Sequence, residues 1–121
     1  MSTVRVLTTK VRQGTMLSSS VLLPATITGS VTIAAAGLST VDLANPVNTM
    51  RLHAHTSADG GASWVYEGGG EWRGGSVNKD GSWNRPAIIL NEVERFRTRL
   101  IRIEVDIPAP LRCGAEVIYT E

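Results

Sequence analysis

Apolar and polar side chains alternate with a period of two along most of this chain, the pattern of half-buried β-strands. Val4, Val6 and Thr8 alternate with Arg5, Leu7 and Thr9, which predicts a first strand near residues 3–12, turned by Gln13-Gly14. Val21-Leu22-Leu23 ends at Pro24 and reads as an edge strand. From Ala25 to Ala36, Ile27, Gly29, Val31, Ile33 and Ala35 share one face, and Thr26, Thr28, Ser30, Thr32 and Ala34 share the other. That is a strand with one dry face and one threonine-lined wet face. Gly37 stops any helix that Ala34-Ala35-Ala36 would start. Leu38 to Leu43 reads as a short strand closed by Ala44-Asn45-Pro46.

Met50, Leu52 and Ala54 then alternate with Arg51, His53 and His55, and the turn signal Asp59-Gly60-Gly61 leads into Trp64-Val65-Tyr66-Glu67. The pattern predicts a β-hairpin with a tryptophan at the base of its return strand. Residues 68–86 are dense in glycine and turn residues, and read as a long irregular connection holding Trp72 and Trp83. Ala87-Ile88-Ile89-Leu90 reads as a buried strand. Phe96 and Leu100 fall on one parity and Ile101, Ile103, Val105 and Ile107 on the other, which predicts a bulge or change of sheet near Arg99–Ile101. Pro108-Ala109-Pro110 is expected to break that strand, and Ala115, Val117 and Tyr119 to form the last one. The sum is an all-β fold, an antiparallel two-sheet β-sandwich or jelly roll of roughly eight strands with no substantial helix. The chain reads as a single domain, with residues 1–20 as a strand or N-terminal arm ahead of a body spanning 21–121.

Composition narrows the function classes. The chain has 121 residues and a formal net charge of +1, so no global field draws it to nucleic acid or an anionic membrane. No apolar run has membrane-spanning length, and the first residues lack the regions of a signal peptide. The one cysteine, Cys113, allows no internal disulfide and suits a reducing compartment, as a small buried apolar residue.

The turn carries a pattern of its own. Ser57, Asp59, Gly61, Ser63 and Trp64 follow S-x-D-x-G-x-[S/T]-[W/F] and resemble the Asp-box of sialidases and many unrelated β-proteins. Short polar side chains there can bond the turn's own amides, Gly61 can take a positive φ, and Trp64 packs beneath. The resemblance implies a stiff turn and says nothing for sialidase activity.

Other constellations point to contacts. His53 and His55 share a strand face, as in some zinc sites, with Asp42, Glu67 or Glu71 as possible third ligands; a polar solvent face is the favoured reading. Arg95, Arg97 and Arg99 alternate, so in a strand they would form one cationic ridge, balanced by Glu92, Glu94 and Glu104 or used in a protein contact. Trp72, Arg73, Trp83 and Arg85 lie in the long connection and are expected to serve in a subunit contact, with Trp72 and Trp83 as stacking platforms for sugar in the alternative reading. The Gly-rich segment does not have the spacing of a phosphate loop, and there is no nucleophile elbow. No cofactor, metal or enzymatic activity is expected.

Small residues, threonine-rich strands and glycine loops across most of the chain resemble the small β-sandwich accessory proteins of tailed-bacteriophage virions, such as capsid cement or decoration proteins. That resemblance implies a homodimer or homotrimer, made in the bacterial host cytoplasm, that clamps neighbouring major capsid subunits on the capsid surface. The alternative is a carbohydrate-binding or adhesin-like module, possibly on a virion tail.

Overall fold

The structure, a computed structural model, describes all 121 residues. In chain order the elements are β1 (Ser2–Leu17), β2 (Val21–Leu22), β3 (Thr28–Ala36), α1 (Thr40–Ala44), β4 (Thr49–Ser57), β5 (Val65–Arg73), β6 (Ala87–Leu90), a 3-10 turn (Val93–Phe96) and β7 (Leu100–Thr120). The seven strands form one antiparallel sheet with the path β5-β4-β7-β3-β6, and β1 and β2 also pair with β7. Its two ends approach each other: a Cβ built on Gly70 of β5 would stand 3.0 Å from Ile88 Cδ1 of β6. The sheet is therefore nearly closed.

β7 organises this arrangement. Its first part, Leu100–Asp106, pairs with β4 on one side. Its last part, from Gly114 on, pairs with β3 on the same side, Ala36↔Gly114 to Thr28↔Thr120. β1 runs along the other side from Ser2↔Tyr119 to Leu17↔Glu104. Ile101, Ile103, Val105, Ile107, Leu111, Cys113, Ala115, Val117 and Tyr119 all turn inward and are buried. They meet Ile27, Val31 and Ile33, then Met50, Leu52 and Ala54, then Phe96. Ile27, Val31 and Ile33 of the expected dry side and the inner side of the hairpin are thus buried as their alternation predicts, but Gly29 takes φ +73° and is exposed, and Ala34, expected on the wet side, is buried.

Pro108-Ala109-Pro110 does not break β7 but lies exposed within it. Prolines cannot donate to a ladder, and here the ladder needs no donor. β1 slips register between Arg12 and Gly14, and Gly14 takes φ +92°. The Gln13 side-chain amide donates to the Pro108 carbonyl at 3.3 Å. Gln13-Gly14 is thus a bend within one strand and not a turn. Residues 2–17 are a strand of the sheet, with no projecting arm.

Three further segments differ from expectation. Residues 40–44 form a helix: the Asp42 N–H donates to the Ser39 hydroxyl at 3.1 Å, an N-cap that outweighs the weak alternation of Leu38–Leu43. β5 continues through Gly68-Gly69-Gly70 to Arg73, so the irregular connection is limited to residues 74–86, itself pinned by a Val77↔Trp83 bridge. Glycine suits this strand because His53 lies over Gly69: a Cβ there would collide with His53 Nδ1 and the Leu52 carbonyl. β6 is an edge strand, with Ile89 62% exposed and only Leu90 buried. The phase change at Phe96 has a different cause from a bulge. Val93–Phe96 is a 3-10 turn that buries Phe96, and β7 begins after it.

Gly69 has ordinary extended backbone, so Gly69→Ala tests the close approach alone. We expect a loss of about 2 kcal/mol in urea unfolding, the scale of an overpacked site.

Candidate functional site

The hairpin turn is held by a network of short polar side chains. The Ser57 hydroxyl donates to Asp59 Oδ1 at 2.7 Å and accepts from the Gly61 N–H at 2.8 Å. Asp59 in turn accepts from the Ser63 N–H at 2.9 Å and from its hydroxyl at 2.5 Å. Gly60 and Gly61 take φ of +72° and +99°. These bonds to Ser63 and Ser57 lower the Asp59 pKa to about 2. The Trp64 ring lies under Gly61, and the Arg102 guanidinium stacks over that ring at 3.9 Å.

From this turn the hairpin presents a charged outer face in three rows set by strand register. Tyr66, His55 and Arg102 form the row nearest the turn, then Gly69, His53 and Glu104, then Glu71, Arg51 and Asp106. Tyr66 is 57% exposed, and its ring lies 5.7 Å from His53 and 5.8 Å from His55. Burial is the main cause that holds His55 below the usual imidazole range; Glu104 opposes it, and Arg102 and His53 add to it. His55 Nδ1 and Arg102 Nε are buried without a hydrogen-bond partner. No third metal-ligating side chain joins the two histidines. Glu71 instead pairs with Arg51 at 3.7 Å, Glu67 pairs with Arg95 at 3.5 Å, and Asp42 lies in α1. The larger of two shallow hollows, about 270 Å³, opens beside the third row among Thr49, Met50, Arg51, Glu71, Asp106 and Pro108.

The opposite outer face is of another kind. Across β6, β3, β7 and β1 the register lines up Ile89, Thr32, Ile118 and Thr3 in one row, and Ala87, Ala34, Glu116 and Arg5 in the next. Thr28 and Thr120 follow at the end. In these rows the only charges are Arg5 and Glu116, which pair with each other at 3.6 Å. This is the threonine-lined side of β3 that alternation predicts, extended by three neighbouring strands.

The expected arginine ridge does not exist. Glu92 and Thr98 take positive φ, 57° and 64°, on either side of the 3-10 turn, so residues 95–99 are not extended. Arg95 lies over Phe96 at 4.6 Å and pairs with Glu67 and Glu92. Arg97 donates twice to the Ile27 carbonyl, from Nε at 3.1 Å and Nη2 at 2.9 Å. Arg99 uses its backbone to hold Leu23. Trp72 is no surface contact either: it is 5% exposed, and its indole N–H donates to the Asn84 carbonyl at 3.0 Å. Trp83 is half-buried against the core, while Arg73 and Arg85 are exposed. Sequence reasoning missed the stacking of Arg102 on Trp64 and the four-stranded face with its one ion pair, because both depend on which strands are neighbours.

No protein family and no curated protein matches the chain. Among solved structures it is similar to the crystal structure of PirA, at 10% identity and a TM-score of 0.46 over 97% of this chain and 95% of that one.

Asp59 titrates below its ordinary 3.8, so folding favours its ionised form. That stabilisation is present above about pH 4 and is lost as pH falls through about 2. Carboxyl NMR should place Asp59 near 2, and Asp59→Asn should remove its share of the acid dependence seen in unfolding.

Proposed function

We propose that this chain is a non-enzymatic virion structural protein of the capsid cement or decoration type. In this reading it associates with itself, as a dimer or trimer, and clamps neighbouring major capsid subunits at the capsid surface. The nearly closed sheet is then a sandwich or jelly roll whose two layers share β1 and β7. The observation that carries the reading is the contrast between the two outer faces. A four-stranded surface of threonine, alanine and isoleucine whose two charges, Arg5 and Glu116, pair with each other costs less to desolvate than the charged hairpin face. The long outer edge of β1 is a poorer route to association. Three register shifts interrupt it, and Arg5, Lys10 and Arg12 lie along it. Many copies of a moderate contact would act together on a shell, so avidity supplies the holding strength.

A carbohydrate-binding or adhesin-like module is the second reading, and one observation favours it. The exposed Tyr66 ring, flanked by His53 and His55 and set beside the Arg102–Trp64 stack, has the makings of a sugar platform. It stands in place of Trp72 and Trp83, of which Trp72 is buried.

Light scattering on a sizing column distinguishes the two. The structural reading expects a stable multiple of 13.0 kDa. It also expects no saturable change in tryptophan fluorescence with simple polysaccharides. A monomer at about 100 µM overturns it, and a saturable, Tyr66-dependent shift then decides for sugar binding.

A further inference from the structure

We infer that two copies of this chain associate face to face through β6, β3, β7 and β1, about a two-fold axis parallel to the strands and lying between β3 and β7. The inference rests on the oligomeric reading above and deepens it by naming the surface and the symmetry.

Side-chain size and charge along the register favour this axis. A two-fold of this kind keeps each row at its own level and reverses its order, and the same patch serves both copies. In the first row, Ile89-Thr32-Ile118-Thr3, Ile89 then lies over Thr3 of the second copy and Ile118 over its Thr32. Large side chains meet small ones at every position. In the second row, Ala87-Ala34-Glu116-Arg5, the two long charged side chains lie over two alanines. No like charges are stacked. Each charge keeps its partner when water leaves, because Arg5 and Glu116 are 3.6 Å apart and Arg5 Nη1 also donates to Thr9 Oγ1 at 2.9 Å. Packed sheets stand about 10 Å apart, a gap that an isoleucine facing a threonine fills better than two of either.

Other axes do worse. One along β7 sets Glu116 on Glu116 and Ile118 on Ile118. One between β7 and β1 leaves Ile89, 62% exposed, outside the contact. An axis across the strands midway between the rows lays the charged row on the isoleucine row, and one along a row sets Ile118 on Ile118 or Glu116 on Glu116. The charged hairpin face offers no comparable match, since association there would desolvate Arg51, Glu71, Arg102, Glu104 and Asp106.

The test measures dimerisation of the full chain by light scattering and sedimentation across a dilution series, with folding of each variant checked by circular dichroism. The parent should be a dimer. Thr32→Ile and Ile118→Thr should each weaken it about tenfold, by overpacking and by a gap. The double swap should return to within about threefold of the parent. Thr32→Arg should give a monomer, and Glu104→Arg, on the other face, should change nothing. The swap decides the matter if Thr32→Arg does not fold. A double swap as weak as the worse single overturns the axis. A dimer indifferent to every variant, or a trimer, overturns this surface or symmetry and leaves the oligomeric reading standing. A monomeric parent overturns both.

Discussion

Hydrogen bonding to β7 is the constraint on which the rest depends. β1, β2, β3 and β4 all pair with it, and only β5 and β6 are held at second hand, through β4 and β3. A strand of 21 residues with neighbours on both sides over most of its length must keep one parity inward throughout. It does so from Ile101 to Tyr119, across an exposed Pro-Ala-Pro corner. The corner is possible because β1 bends at the same level, where Gly14 supplies a backbone conformation that other residues adopt at a cost.

With the interior fixed in this way, the outer faces are free to differ, and they do. The hairpin face is polar and rigid: a serine–aspartate network locks its tip, a glycine makes room for His53, and an arginine covers Trp64. The face of β6, β3, β7 and β1 is nearly free of charge. A protein whose two sides differ so much in hydration cost has a built-in orientation toward anything it covers.

The sequence was most legible where a single period governs a segment. The inward Ile27, Val31 and Ile33 of β3 and the inner side of the hairpin follow directly from alternation, because one side of each strand packs on the core. It was least legible where a local interaction overrides the period. Ser39 caps a helix inside an apolar run, and Gly68-Gly69-Gly70 looks like a loop until His53 is found lying on Gly69. The arginines at 95, 97 and 99 alternate on paper. Positive φ at Glu92 and Thr98 removes the strand that alternation assumes, and nothing in those residue types announces it. Trp72 is misplaced for the same reason as the glycines, since once β5 is longer its ring falls inward. The uncharged face is spelled out along four separated segments and becomes visible only when their register is known.

The pairing of β1 with β7 joins Ser2 to Tyr119, almost the whole length of the chain. Such distant partners give a high contact order, and loop closure must precede any gain from the ladder. Until β7 docks, β1, β3 and β4 lack their shared neighbour, and the chain carries several open strand edges at once. During synthesis the segment that closes them emerges after all the others. A neighbouring chain that reaches those open edges before β7 does would compete for the same hydrogen bonds.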